Sequence, residues 1–124
     1  MRNSKQRETI LRIVKESDDH PTADMVYNRA RVLINNISLG TVYRNLNLLS
    51  EQGLIKKFKI VGDNERFDKT VIMHSHFVCK CCGKVVDIME DSMKGFIDEL
   101  SKKTDSLIER YEVSLLGTCS HCQL

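Results

Sequence analysis

Apolar residues recur at helical spacing through the first fifty positions and give way to shorter, strand-like runs afterwards. Between Lys5 and Ser17, Ile10, Leu11 and Val14 fall on one helical face. Thr22, after Pro21, is the expected N-cap of a second helix, with Asp24 in the first turn where the helix dipole favours a carboxylate. Ala23, Val26, Tyr27, Ala30 and Leu33/Ile34 continue that face. A third helix is expected from near Ser38, lined by Val42, Leu46 and Leu49 and stopped at Gly53. Leu54–Val61 then reads as a strand, Gly62-Asp63-Asn64 as a turn and Glu65–Phe67 as a second short strand. Three short helices followed by a strand, a turn and a strand form the layout of a winged helix-turn-helix.

The pattern changes in the second half. His74–Lys80 and Lys84–Met89 read as strands flanking Cys79-Lys80-Cys81-Cys82-Gly83. Asp91/Ser92 are placed to cap a helix that buries Met93, Phe96, Ile97 and Leu100. Arg110–Gly117 reads as a last strand, leading into Cys119-Ser120-His121-Cys122. One Pro and six scattered Gly leave no flexible linker, so the join near Arg66–Met73 is short. The expected fold class is α+β: a winged helix-turn-helix over 1–67, a hinge over 68–73 and a small α/β domain over 74–124.

Composition narrows the class. A chain of 124 residues with 41% apolar content is one ordinary domain or two very small ones, and wholesale disorder is excluded. No apolar run approaches the roughly 20 residues of a membrane span. Met1-Arg2-Asn3-Ser4-Lys5 leads straight into a charged helical pattern without an apolar signal stretch, which implies a cytoplasmic protein. Five cysteines in that compartment read as metal ligands or reactive thiols, not as staples. The net charge of +2 is too small to argue for nucleic acid, but it is unevenly spread. Residues 1–66 hold 12 Lys/Arg against 8 Asp/Glu, a net of +4, leaving −2 for residues 67–124. A basic first half fits a phosphate-facing module, although ordinary surface variation gives the same asymmetry.

Cys79/Cys82 and Cys119/Cys122 form a CxxC…CxxC set, the spacing of a tetrahedral structural zinc site. Gly83 suits the turn that presents the first pair. The wide separation of the pairs implies that the site ties a C-terminal strand to a central one. A redox dithiol is the alternative, but neither pair follows a strand and opens a helix. Cys81 is a spare thiol, and His121, between two ligands, is expected to face solvent.

His74 and His76 are two apart on an expected strand, so both imidazoles project from one face and can chelate one metal; a half-exposed polar face is the bland alternative. Asp87 lies on the next strand, Asp68 in the join, and His20 before Pro21, which should keep it extended. Three nitrogens and two carboxylates would suit iron(II) or manganese(II) better than a thiolate site would. Spacing alone leaves open whether His20 and Asp68 join His74.

These residues resemble the ferric uptake regulator family of bacterial metal-dependent repressors over nearly the whole chain. The likeness rests on His20-Pro21-Thr22-Ala23-Asp24, Thr41-Val42-Tyr43-Arg44-Asn45-Leu46, Arg66-Phe67-Asp68, His74-Ser75-His76, Cys79-Lys80-Cys81-Cys82-Gly83-Lys84 and Cys119–Cys122. It implies a homodimer that binds A/T-rich inverted repeats of double-stranded DNA, with 74–124 as the dimerisation and metal-sensing domain and Zn2+ held structurally by the four cysteines. Within the family the chain is most similar to the peroxide-responsive repressors. Their regulatory Fe2+ or Mn2+ ligands match His20, Asp68, His74, His76 and Asp87, where iron-uptake regulators typically carry glutamates at the acidic positions. The resemblance also implies that iron(II) and hydrogen peroxide oxidise His20 or His74, which opens the metal clamp and derepresses peroxide defence. The family usually has a further helix before the segment that starts here near Lys5, which implies altered operator affinity or a shortened subtype.

For DNA contact the resemblance points to Tyr43 and Arg44 on the third helix, within Thr41 to Asn45. Tyr43 is offset from Val42, Leu46 and Leu49, so it is expected to be exposed and able to pack on a thymine methyl. Arg44 suits a phosphate or guanine. Lys56, Lys57 and Lys59 near the wing are generic phosphate partners. The chain is therefore expected to be a regulator and not an enzyme. An iron- or manganese-supply regulator of the same family is the near rival. A mononuclear non-haem iron oxygenase is the distant one, which would need a larger barrel than this chain provides.

Overall fold

The computed structural model describes residues 2–59 and 64–123, with side chains from Lys5 onward. They divide into two compact units, Met1–Val71 and Ile72–Leu124. In the first unit, α1 (Arg2–Glu16), α2 (Ala23–Leu33) and α3 (Leu39–Glu51) precede β1 (Lys56–Phe58) and β2 (Arg66–Asp68). Thr22 caps α2 by accepting from the Met25 amide, and Ser38 caps α3 by accepting from the Thr41 amide. Each cap satisfies a donor that the helix start leaves without a partner. The apolar stripes of the helices meet in one core: Ile10, Ile13, Val14, Ala23, Val26, Ala30, Ile37, Val42, Leu46, Leu49, Ile55 and Phe67. Gly53 ends α3 at φ +75, a conformation that suits glycine.

The wing is antiparallel, pairing Lys56 with Asp68 and Phe58 with Arg66. It is shorter than the expected strand over Leu54–Val61: the ladder covers three residues, and Ile60, Val61, Gly62 and Asp63 lie outside the described residues. Of the pair Leu33/Ile34, offered as alternatives for the apolar face of α2, Leu33 is 59% exposed. It is the last residue of the helix, and Ile34 takes the inward position instead.

The second unit is a three-stranded sheet with one helix. β3 (His74–Cys79) is central, β4 (Val85–Met89) pairs with it antiparallel, and β5 (Ser114–Gly117) pairs with it parallel. α4 (Glu90–Thr104) connects β4 to β5's approach, and a short 3-10 turn covers Ser120–Cys122. β4 runs directly into α4 through Met89, so Glu90 and Asp91 sit in the first turn and neither Asp91 nor Ser92 is the cap. α4 buries Met93 and Ile97, one turn apart, while Phe96 is 51% exposed. The last strand is confined to Ser114–Gly117, the stretch that finds partners on β3, so the expected strand over Arg110–Gly117 forms only at its end.

Candidate metal centres

The cysteine cluster is built at the end of the central strand. Cys79 closes β3, and Gly83 (φ +78) turns the chain back so that the Gly83 amide donates to the Cys79 carbonyl at 2.9 Å. The parallel register sets Cys79 beside Gly117, and the Lys80 amide donates to the Gly117 carbonyl at 2.8 Å. Cys119 therefore arrives next to Cys79, its amide 3.4 Å from Cys79 Sγ. The 3-10 turn, closed by Cys122 N donating to Cys119 O, brings in the last thiol.

One sulfur from each of Cys79, Cys82, Cys119 and Cys122 lies within 4.8 Å of the others. Cys82 Sγ and Cys119 Sγ are 3.8 Å apart. A tetrahedron with bonds of about 2.3 Å has edges of about 3.8 Å, whereas a disulfide requires about 2.05 Å. The four thiols are free and arranged for one tetrahedral ion.

Their proton affinities are spread by their shared surroundings. The Cys119 amide, followed by that of Cys82, brings Cys79 down to about 5 against the opposing effect of burial. Cys82 feels the Lys84 amide downward, but contact with the Cys79 thiol, with burial, leaves it raised. Cys122 is pushed up, first by its contact with Cys119. Metal ligation by thiols needs them deprotonated, so an ion bound here is taken up with release of protons. Cys81 and His121 are both exposed and outside the cluster.

A second donor group lies on β3 and β4. His74 and His76 share a face, their rings 4.5 Å apart between centroids. The register places Asp87 directly opposite His76. Asp87 Oδ1 is 3.3 Å from His76 Nε2 and 3.4 Å from His74 Nε2. His74 Nδ1 donates to the Ile72 carbonyl at 2.7 Å, which leaves Nε2 as the nitrogen that faces Asp87. An imidazole nitrogen and a carboxylate oxygen at this distance attract when a proton or a metal ion lies between them. Ligands at about 2.1 Å from one ion are roughly 3.0 Å apart in an octahedron and 3.4 Å apart in a tetrahedron. The set fits a small divalent cation.

His20 and Asp68 form a pair of their own in the first unit. His20 Nε2 is 3.4 Å from Asp68 Oδ2. Asp68 Oδ1 accepts from the Thr70 amide at 2.9 Å, so the two oxygens have separate tasks. The His20 ring stands edge-on to Phe58. His20 is not extended, as Pro21 would favour, but left-handed at φ +48. Arg66, one of the residues without an expected role, donates through Nη1 to the His20 carbonyl at 3.1 Å. Alternation along a strand carrying Arg66 and Asp68 was the available signal, since period two puts both on one face.

On α3, Tyr43 is 41% exposed, and Arg44 is exposed with Nη2 donating to Thr41 Oγ1 at 3.0 Å. Asn45 faces inward, its Nδ2 donating to the Thr41 carbonyl at 2.9 Å, so it braces the helix where contact with DNA was expected. Lys57 is engaged by Asn47 Oδ1 at 3.2 Å and by Glu65 Oε2 at 3.7 Å, which offsets part of the charge expected for phosphate. Lys56 is half-buried and Lys59 exposed.

Comparison with known proteins adds the following. The ferric uptake regulator family model matches residues 1–116. The peroxide-responsive repressor PerR of Staphylococcus aureus is 32% identical over 123 residues, covering 99% of this chain and 83% of its own length. The structure of the Campylobacter jejuni peroxide stress regulator is similar at a TM-score of 0.77 and 31% identity, over 98% of this chain and 91% of that one. The Helicobacter pylori ferric uptake regulator Fur shares the fold at a TM-score of 0.86 and 24% identity, over 97% and 81% of the two chains. No helix among the described residues is long and apolar enough to cross a membrane.

Proposed function

Because the chain belongs to the ferric uptake regulator family, whose members are transcriptional regulators and not enzymes, we propose that it is a homodimeric, metal-dependent DNA-binding repressor whose signal is hydrogen peroxide. The observation that carries the reading is the meeting of two imidazole Nε2 atoms on one Asp87 oxygen, with His74 Nδ1 engaged by the Ile72 carbonyl. That donor chemistry suits iron(II) or manganese(II), and it is separate from the four-thiol cluster, which suits structural Zn2+. The names of the S. aureus and C. jejuni relatives add support for peroxide as the signal.

In this reading His74, His76 and Asp87 hold the regulatory metal from the second unit, and His20 and Asp68 supply the remaining ligands from the first. Residues 68–73 would be the hinge between the two. A metal bound by both units biases the protein toward one arrangement only by its preference for that arrangement. α3 would enter the major groove, with Tyr43, Arg44 and Thr41 toward the bases and Lys56 toward phosphate. Iron(II), when bound, would supply the reduction of peroxide and an oxidant strong enough to add oxygen to an adjacent imidazole. His20 and His74 are the residues proposed to take that oxygen. An oxidised ring is a poor donor, so the ligand set loses a member and the DNA-binding form loses its bias.

Peptide mass spectrometry tests this. The zinc-loaded protein is given iron(II) and a small excess of hydrogen peroxide, with manganese(II) as the control. The expected result is one added oxygen on His20 or His74, present with iron and absent with manganese. Fragmentation must separate it from oxidation of Met25 and Met73. Unmodified histidines with iron demonstrably bound would overturn the peroxide reading and leave a metal-supply regulator.

A further inference from the structure

The role of Arg66 follows from the strand that carries it. In β2, Arg66 and Asp68 share one face while Phe67 between them is buried in the core. Residues 20–22 run antiparallel alongside: Thr22 bridges Arg66, and the Phe67 amide donates to the Pro21 carbonyl at 2.9 Å. From there Arg66 Nη1 reaches the His20 carbonyl at 3.1 Å, and Asp68 Oδ2 lies 3.4 Å from His20 Nε2. One strand therefore holds both the backbone and the ring of the same residue. His20 needs such holding. Its φ of +48 lies in the left-handed region that side chains with a Cβ rarely adopt. The following Pro21 favours extended backbone. A return to that conformation would carry the imidazole away from Asp68.

We propose that Arg66 is a positioning residue for the regulatory metal: by binding the His20 carbonyl it keeps His20 in the left-handed conformation that presents its imidazole beside Asp68. The inference rests on His20 being a metal ligand, as proposed above. Arg66 touches no metal; its effect is the fraction of molecules in which His20 is ready to bind. Release of a left-handed residue of this kind changes that fraction by roughly ten-fold.

The test uses the full chain with zinc bound and manganese(II) as the probe, free manganese being read by its electron paramagnetic resonance signal. Arg66→Gln is expected to weaken manganese binding about ten-fold, with zinc content and melting temperature unchanged. Arg66→Lys keeps one donor and is expected to recover part of the loss. His20→Ala should weaken binding further, and adding Arg66→Gln to it should change nothing more, because Arg66 acts through His20. If Arg66→Gln weakens binding equally with and without His20, Arg66 contributes a general charge or structural effect and the proposal falls. If His20→Ala weakens binding and Arg66→Gln does not, the proposal falls while the ligand assignment stands. If His20→Ala has no effect, the ligand assignment falls and the proposal with it. Should Arg66→Gln fail to fold, Arg66→Lys in both backgrounds decides by the same comparison.

Discussion

Stripping the metal from the four-thiol cluster should unfold one half of the protein and spare the other. Among the described residues of the second unit, the buried apolar side chains are Val78, Met93 and Ile97, along with Cys79. At about 1.5–3 kcal/mol for each fully buried large side chain, those three yield roughly 5–9 kcal/mol, all of it opposed by chain entropy. A structural zinc ion contributes about 10–16 kcal/mol in small hosts. The ion therefore outweighs the apolar core of its own unit, whereas the first unit has twelve buried apolar residues in one cluster and no share in the thiols. Cys119→Ser, or chelation under reducing conditions, is the perturbation, and amide hydrogen exchange read by mass spectrometry is the assay. Peptides covering β3, β4 and β5 should lose protection while those covering α1, α2 and α3 keep it. Full protection of β3 and β5 in protein shown by elemental analysis to be free of zinc would refute the argument.

Gly83→Ala should lower the melting temperature of the second unit, by about 1 kcal/mol of stability, and weaken zinc retention. The added Cβ meets nothing within 4 Å among the described residues, so the cost is the left-handed backbone at φ +78. Ser75→Ala should leave stability unchanged or raise it by about 1 kcal/mol in denaturant titration, because Ser75 Oγ is buried without a hydrogen-bond partner among the described residues; a clear loss would refute that. Asp19→Asn should cost no more than about 0.5–1 kcal/mol at neutral pH, since the Asp19–Arg29 pair is half-exposed. The Arg29 hydrogen bond holds the Asp19 carboxyl below its ordinary value. The contribution is thus fully present above about pH 4 and lost as pH falls through the lower folded value, so the gap to wild type should close on acidification. A gap independent of pH would contradict the assignment.

The features legible in the sequence were those governed by local rules. Thr22 was readable as a cap and Ser38 as the start of the third helix because each precedes an apolar helical stripe, and Val42, Leu46 and Leu49 were readable as core because their spacing admits one face. The pairing of His74 with His76 followed from strand alternation, and the cysteine pairs from ligand spacing. Phe96 was misread as buried, and the choice between Leu33 and Ile34 stayed open, because periodicity gives a stripe without saying which of its edges the neighbours cover. The conformation of His20 was misread because the preference set by Pro21 is local, while the Arg66 and Asp68 contacts that oppose it come from 46 and 48 positions away. Lys57 was readable as a cation but not as one already engaged by Asn47 and Glu65, since register across a hairpin decides that.

The parallel pairing of β3 with β5 sets an order of assembly. Cys79 and Cys82 are gathered by a tight turn as soon as β3 and β4 zip together, an event between near neighbours. Cys119 joins Cys82 from 37 positions away, and closing a loop of that length opposes the encounter by about 3 kcal/mol. The first pair can therefore capture an ion early and hold it loosely, and the grip becomes tight only when β5 has found its register on β3. Metal retention is then a report on the completion of folding: a chain stalled before its last strand docks carries an ion that it releases readily.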